Sequence, residues 1–117
     1  MAIISLMNID FYRTSSGRNV IDEFVRGLSP QDQGRFVDVY KGIQAEGLRF
    51  SRVQFRQLAG KLWEIKYSAP GGKYRIAYVM LVADRMVWLH MFKKTTKKTP
   101  KNDLELALKR MGEVLKS

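Results

Sequence analysis

The residues of this chain whose types are best suited to chemistry are four basic ones, Lys66, Arg75, His90 and Lys94. A guanidinium binds a phosphate through two parallel hydrogen bonds, and an ammonium binds it as a point charge. A lysine crowded by other cations has a lowered pKa, which makes it a usable base near neutral pH. His90 has two interpretations, because an imidazole is either a general acid or base or a hydrogen-bonded residue of a sheet. These residue types suit phosphate binding with proton transfer beside it.

The distribution of charge points to a polyanionic partner. The 117 residues include 21 Lys and Arg against 11 Asp and Glu, a formal net charge of +10. Residues 1–48 hold five basic and six acidic side chains, whereas residues 49–117 hold sixteen basic and five acidic ones. Neutralising phosphates releases condensed counterions, so this excess indicates nucleic acid. The alternative is a solvated basic surface.

Length and composition exclude several classes of protein. A chain of 117 residues with 45% hydrophobic residues fits a single domain over residues 1–117. The absence of cysteine excludes disulfides, thiol catalysis and cysteine-based zinc sites, and one histidine excludes an all-histidine metal site. The longest apolar run, residues 76–83, is far shorter than the ~20 residues of a membrane span, and no signal peptide is recognisable. We expect a soluble cytoplasmic domain with no metal, no cofactor and no membrane partner.

Capping residues and apolar spacing predict three helices. Asn19 is a candidate N-cap for a short helix whose apolar positions 20, 21, 24, 25 and 28 share one face. Ser29-Pro30 begins a second helix, which Gly47 ends, and the two helices form an αα-hairpin. Thr99-Pro100 caps a last helix with apolar residues at positions 104, 107, 108, 111 and 115.

Strand patterns predict the sheet that positions the basic residues. The opening segment, residues 3–12, is rich in Ile, Met and aromatic residues and predicts one strand. Residues 62–68, 73–82 and 86–92 predict an antiparallel meander with turns at Pro70-Gly71-Gly72 and Asp84-Arg85. The predicted order is β-α-α-β-β-β-α, an α+β domain with its helices on an antiparallel sheet.

The two turns set which residues of the meander are opposite each other. If residues 67 and 74 flank the first turn, Lys66 lies opposite Arg75. If residues 83 and 86 flank the second, Lys94 lies opposite Arg75 and His90 lies opposite residue 79. All four basic residues would then share one face, and the aromatic and aliphatic residues would pack against the helices on the other. A three-residue second turn would reverse the faces of His90 and Lys94.

Like charges directly opposite one another destabilise a sheet, and such a broken local rule is expected at a functional site. A bound phosphate would compensate for the repulsion among Lys66, Arg75 and Lys94. The alternative is that Glu64 or another carboxylate neutralises the group.

Two stretches carry a family resemblance, LWEIKYSAPGGKYRIAYV (62–79) and VWLHMFKKTTKKTP (87–100), followed by an amphipathic terminal helix. Their order and spacing resemble the RelE/ParE toxin superfamily, and within it the phage-derived, HigB-like branch of type II toxin-antitoxin systems. The resemblance covers about residues 8–115. The fold that it implies has the β-α-α-β-β-β-α order predicted from the patterns.

The resemblance implies a toxin that inhibits translation as a ribosome-dependent, metal-independent mRNA endoribonuclease. Its partners would be mRNA on the ribosome and a helix-turn-helix, HigA-like antitoxin, with an oligomer formed by the chain alone or together with that antitoxin. Two alternatives remain: a ParE-like gyrase inhibitor, and a non-enzymatic nucleic-acid-binding module or decayed toxin. The basic set on one face argues against the gyrase inhibitor, because ParE relatives generally lack it.

The resemblance also assigns roles to individual residues. Arg75 falls at the position of the transition-state arginine, Lys66 at a basic position of the preceding strand, and Lys94 at a basic position after the last strand. Lys66 would be a base or a phosphate contact, and Lys94 would stabilise charge or protonate the leaving group; His90 completes the candidate catalytic set. The candidate RNA-binding residues are Lys73, Lys93, Lys97, Lys98 and Lys101.

The chain departs from the pattern of the RelE type at two points. Glu64 stands where that type has a second strand lysine, and the final helix contains no tyrosine. A residue that stacks on the bases would therefore come from elsewhere, with Trp88, Phe92 and Tyr67 as candidates.

Overall fold

A five-stranded sheet forms the centre of the structure, a computed structural model that describes residues 6–95 and 97–116. The strands are β1 (Asn8–Phe11), β2 (Gln54–Ala59), β3 (Leu62–Ala69), β4 (Gly72–Val82) and β5 (Arg85–Lys93). Their spatial order is β1-β5-β4-β3-β2. The predicted α+β class and the β3–β4–β5 meander are confirmed.

The sheet differs from the prediction at both edges. At one edge β1 pairs parallel to β5, so the sheet is mixed and the expectation of a purely antiparallel sheet is wrong. At the other edge β2, which the patterns did not predict, pairs antiparallel with β3. The described order is therefore β-α-α-β-β-β-β-α, with one 3-10 turn, Gly47–Arg49, before β2. Residues 3–5 of the predicted first strand lie outside the described residues.

Local sequence explains where the three helices begin and end. In α1 (Val20–Arg26) the Asn19 side chain accepts a hydrogen bond from the backbone of Asp22 at 3.0 Å. In α2 (Pro30–Glu46) the Ser29 hydroxyl caps the first turn, and Gly47 ends the helix with a φ of 63° that favours glycine. The third helix, α3 (Lys101–Lys116), begins just after the predicted cap. The Thr99 hydroxyl accepts a hydrogen bond from Arg75 and donates one to Glu64, both in the sheet.

The helices cover both faces of the sheet. The α1–α2 hairpin packs on the face that contains Ile65, Tyr74, Ile76 and Trp88, as predicted. The third helix packs on the opposite face, over an apolar cluster of Leu62, Ala77, Val79, Val87, Leu89 and Ala107. The expectation that all helices lie on one face is therefore wrong, because the predicted polar face also carries this apolar cluster, which α3 covers.

The register of the first hairpin is as predicted, with Lys66 opposite Arg75. The register of the second hairpin is shifted: Phe92, not Lys94, lies opposite Arg75, and Ala77, not Val79, lies opposite His90. The position of the turn causes this difference: Val82 pairs with Arg85, so the turn is at residues 83–84 and not at Asp84-Arg85. Two irregularities farther along the pairing compensate each other. His90 still shares the face of Arg75, because Ala77 is two residues along the strand from Arg75.

No helix in the described part of the chain combines the length and the apolar character needed to cross a membrane.

Candidate nucleic-acid interface

An open cleft of about 360 Å³ lies where β3 extends beyond its edge partner. The last pair between β2 and β3 joins Gln54 to Lys66, but β3 continues to Ala69. One wall comes from α2, a second from residues 51–54, and the floor from the ends of β3 and β4. The mismatch in strand length therefore creates a concave surface at the end of the sheet.

Cationic side chains from five segments of the chain converge on this cleft. Its basic residues are Arg35, Arg52, Lys66, Lys73 and Lys94, and none of its described lining residues is acidic. A concave surface lined by one sign of charge concentrates the field and attracts ligands of opposite charge. The cleft is therefore suited to a phosphate-bearing ligand.

Lys94 is the cation whose protonation is most affected by this arrangement. Its backbone N–H donates to the carbonyl of Lys73 at 2.7 Å, which fixes the residue just after β5. Desolvation lowers the pKa of its ammonium first, and the positive charges of Lys66, Arg75 and Lys73 lower that pKa further. An amine with a lowered pKa is more often neutral and therefore able to accept a proton.

The β3–β4 turn is fixed to α2 by a buried carboxylate. Asp32 accepts hydrogen bonds from the backbone N–H of Gly71 at 3.0 Å and from the hydroxyl of Tyr74. These bonds lower the pKa of Asp32, and burial together with Asp32 raises the pKa of Tyr74 to about 12. A Cβ on Gly71 would lie 2.1 Å from Asp32 Oδ2, so only glycine fits this turn. Asp32 therefore holds one wall of the cleft, α2, to its floor.

Tyr67, one of the residues that line the cleft, has an unpaired polar atom. The side chain is buried, and its hydroxyl has no hydrogen-bond partner among the residues that the structure describes. Burial raises the pKa of the phenol, and Tyr74 and Asp32 raise it further. The hydroxyl therefore stays protonated and remains available as a donor.

Arg75 lies behind the cleft and is completely buried. Its Nη1 is 3.2 Å from Glu64 Oε1 and donates to the Thr99 hydroxyl at 3.1 Å, and its Nη2 donates to the Lys97 carbonyl at 3.0 Å. Glu64 also pairs with Arg56 at 3.0 Å. The open polar face expected around Arg75 is therefore not present, and Glu64 neutralises the arginine, which was the alternative interpretation. The catalytic role of Arg75 stays a prediction.

His90 lies beneath α3 and outside the cleft lining. Its Nε2 is 2.7 Å from Asp103 Oδ1, and its Nδ1 is 3.3 Å from Arg110 Nη1. Because arginine only donates, Nδ1 accepts a hydrogen bond from Arg110. Nε2 therefore carries the proton and donates a hydrogen bond to the Asp103 carboxylate. Burial lowers the pKa of His90, although Asp103 raises it in part. This geometry matches the hydrogen-bonded sheet histidine, and a catalytic role for His90 stays a prediction.

The predicted RNA-binding lysines occupy different surfaces. Lys73 lines the cleft, whereas Lys93 points to the α2 face, where its stem lies against Gly72. Lys97 and Lys98 are exposed, and Lys101 is 3.8 Å from Glu105. Their contact with RNA stays a prediction.

The candidates for base stacking differ strongly in exposure. Trp88 is 0% exposed in the core, and Phe92 is buried beside His90 with the two rings stacked at 5.4 Å. Of the three candidates, Tyr67 alone lines the cleft.

Sequence reasoning missed Arg35 and Arg52. Arg35 lies in a half of the chain without excess positive charge, and Arg52 lies in a loop before the unpredicted β2. Arg35 lies three residues after Asp32 in α2, a spacing that puts both side chains on neighbouring positions of the helix surface.

Comparison with known families gives one match. Residues 23–112 match the family described as phage-derived Gp49-like proteins (DUF891), and this span includes all five cations of the cleft. No protein with a curated description is significantly similar in sequence. Because the matched span covers most of its length, the chain belongs to the phage-derived Gp49-like protein family.

Proposed function

We propose that the chain is the toxin of a type II toxin-antitoxin system, a cytoplasmic, metal-independent endoribonuclease that cleaves mRNA on the ribosome and so inhibits translation. The resemblance to the HigB-like branch of the RelE/ParE superfamily supports this function, as does membership of a phage-derived family. The cleft adds a physical argument, because its cations match the charge of an RNA backbone.

The environment of Lys94 is the observation that carries the proposal. RNA cleavage needs a base for the 2′-hydroxyl, positive charge for the phosphorane and an acid for the 5′-oxygen. Lys94 has a lowered pKa and lies among Lys66, Lys73 and Arg75. One cleft thus combines an amine able to accept a proton with cations able to stabilise phosphate charge.

The proposed reaction uses two lysines for proton transfer. Their roles are the reverse of those that the resemblance suggests, because Lys94 is the lysine with the lowered pKa. The neutral amine of Lys94 takes the proton of the 2′-hydroxyl, whose oxygen then attacks the adjacent phosphorus. The bond from phosphorus to the 5′-oxygen breaks, and the ammonium of Lys66 gives a proton to that oxygen. The products are a 2′,3′-cyclic phosphate and a 5′-hydroxyl. Lys73 and Arg35 stabilise the added negative charge of the intermediate.

In this proposal Arg75 is a positioning residue. Its guanidinium holds the backbone at Lys97 and the hydroxyl of Thr99, and its charge lowers the pKa of Lys94 across the sheet. Glu64 keeps the guanidinium in place.

The test is single-turnover cleavage of mRNA on saturated, translating ribosomes, followed by primer extension. Lys94→Ala and Lys66→Ala are expected to lower the rate by about a hundredfold or more, the range of general acid–base catalysis. Lys61→Ala is the matched control, because Lys61 is an exposed lysine in the turn just before β3, at the end of that strand far from Lys66. Wild-type rates in both cleft variants would contradict the proposal.

A non-enzymatic nucleic-acid-binding module is the second candidate. The engagement of Arg75 and His90 in internal contacts favours it, because both side chains already have partners within the fold. Ribosome or RNA binding without cleavage by the wild-type chain would establish this alternative. Covalent gyrase–DNA adducts in cells that express the chain would instead indicate a ParE-like poison.

The proposed partner that neutralises the toxin is a helix-turn-helix antitoxin. Acidic or mixed charge on that antitoxin would speed its association with a chain of net charge +10.

A further inference from the structure

A second cavity, of about 440 Å³, adjoins the basic cleft. It lies between α2 and the segment at residues 50–52, and both cavities are lined by Arg35, Arg52, Tyr67 and Ser68. We call it the Phe50 cavity, after the aromatic ring on its lining. A ligand whose phosphate lies in the cleft therefore has a cavity of ligand size directly beside it.

The lining of the Phe50 cavity suits a flat, aromatic group. Phe50, Tyr67 and the buried Val39 supply its apolar surface. The ring of Phe50 is held tightly against α2, because a Cβ on Gly42 would lie 2.3 Å from two of its atoms. Nucleobases stack on such rigid aromatic rings in proteins that bind single-stranded RNA.

The polar groups of the cavity comprise both acceptors and donors. Asp38 contributes a carboxylate, which only accepts hydrogen bonds when it is ionised. Arg35 and Arg52 contribute guanidinium donors, although one Nη of Arg35 already donates to the Ser68 carbonyl at 2.8 Å. The Tyr67 side chain lines the same space, and its buried hydroxyl has no partner among the described residues.

We propose that the Phe50 cavity binds the guanine base of the nucleotide whose phosphate occupies the cleft. Guanine offers two donors, N1–H and the N2 amine, side by side to the Asp38 carboxylate, and its O6 and N7 accept from arginine. Adenine and cytosine each offer a single exocyclic amine, and uracil offers no amine. The inference rests on the proposed function, since it gives the RNA substrate a preferred base.

Tyr67 links the two subsites. Its hydroxyl donates to the ligand at the boundary between base and phosphate, which provides the partner that the residue lacks in the free chain. The cost of burying an unpaired hydroxyl is then recovered only in the complex.

The experiment is an NMR titration of the purified chain, which separates binding from cleavage. The probes are inorganic phosphate, ribose 5-phosphate, 5′-AMP and 5′-GMP, added one at a time. We expect 5′-GMP to bind at least about fivefold more tightly than ribose 5-phosphate or 5′-AMP. Its amide shift changes should include Phe50 and Val39, whereas phosphate alone should shift only residues of the cleft.

Two variants test the assigned contacts. Asp38→Asn replaces one of the two carboxylate oxygens that would accept from the guanine N1–H and N2 amine. Asp38 is exposed, so the fold should be retained, and the advantage of 5′-GMP over 5′-AMP should be lost. Tyr67→Phe should weaken 5′-GMP binding with the fold retained, because it removes one unpaired atom from the core. Glu46→Gln, at an exposed carboxylate of the same helix, is the matched control and should bind like the wild type.

Equal binding of 5′-GMP and ribose 5-phosphate, or of 5′-GMP and 5′-AMP, would overturn the inference. So would 5′-GMP shifts confined to the cleft, or an Asp38→Asn variant that keeps the preference. The result is independent of nuclease activity: a chain that prefers 5′-GMP but leaves mRNA intact would retain this subsite while the proposed cleavage fails. A chain that cleaves mRNA but shows no base preference would retain the proposed function, and the guanine subsite would be excluded.

Discussion

The ammonium group of Lys94 lies within the field of three other cations, and this gives the cleft its chemical character. A single lysine on a surface stays protonated at neutral pH and can only attract phosphate. Crowding and desolvation change this, because each of them disfavours the charged form. The neighbours of Lys94 therefore determine its proton transfer as directly as they determine the charge of the cleft.

This dependence predicts a shift in the pH profile of cleavage. Lys66 is one of the charges that lower the pKa of Lys94, so Lys66→Met should raise that pKa toward the ordinary lysine value. The base is active when neutral, and the rising limb of the single-turnover rate should therefore move to higher pH. Lys61→Met, which removes the same charge at a distance, should leave the limb in place. A Lys66→Met variant that is slower at every pH without any shift would contradict the assignment of Lys94 as the base.

Burial changes how a variant of Arg75 must be interpreted. The sequence places Arg75 opposite Lys66, and this pairing suggests that an alanine variant would relieve repulsion. The structure instead encloses Arg75 with Glu64, and removal of one partner from a buried ion pair leaves the other charge uncompensated, at a cost of about 3 kcal/mol or more. Lost activity in Arg75→Ala would therefore combine lost positioning with lost stability.

At the scale of elements, the parts that could be predicted are those set by local sequence. Asn19 and Ser29-Pro30 mark helix starts, and the turn at residues 70–72 fixes the register of β3 and β4. The pair of Lys66 and Arg75 follows from that turn alone. Where spacing along the chain is short, capping and turn chemistry determine the geometry.

The elements that could not be predicted depend on distant contacts. Nothing local shows that β1 pairs parallel to β5, since this pairing is stabilised by contacts such as Phe11 with Trp88, whose ring centroids are 5.5 Å apart. β2 is an edge strand whose three polar and three apolar residues do not alternate regularly. The second turn lies at residues 83–84, one position earlier than predicted, and this moves the partner of Arg75 from Lys94 to Phe92. The cleft walls built by α2 and by residues 51–54 therefore could not be derived from the periodicity.

The docking of α3 on the sheet is predicted to weaken in mild acid. His90 links the sheet to Asp103 and Arg110 of α3, and burial lowers the pKa of its imidazole below the ordinary value of about 6.5. Below that pH the unfolded chain binds a proton that the folded chain resists, so the free energy of unfolding falls as the pH falls. Above the ordinary imidazole pKa both states are neutral at His90, and the contribution of His90 to the free energy of unfolding is fully present.

Urea denaturation between pH 7.5 and 5.5 measures this effect. His90 is the sole histidine of the chain, so no other imidazole titrates in this range. His90→Gln cannot titrate and should therefore have a flatter dependence of unfolding free energy on pH. A wild-type curve as flat as that of the variant would exclude His90 as the group responsible.

At the scale of the whole molecule, the fold redistributes a charge that the sequence presents as lopsided. Residues 1–48 have one more acid than base, yet α2 brings Arg35 to the wall of the cleft. Its acidic neighbour Asp32 is turned inward and bonded to Tyr74. The cleft therefore draws cations from both halves of the chain, and a residue count along the sequence understates its charge.

The salt dependence of RNA binding should reveal which cations belong to this cleft. For single-stranded nucleic acid each neutralised phosphate contributes about 0.7 to the slope of log affinity against log salt. Arg35→Gln and Lys73→Gln should each reduce the slope for a single-stranded RNA by about that amount, roughly uniformly across sequences. Lys61→Gln removes an equal charge in the turn before β3, outside the cleft lining, and should leave the slope unchanged. If all three variants reduced the slope equally, net charge rather than the cleft would govern binding, and the cations around Lys94 would lose their assigned role.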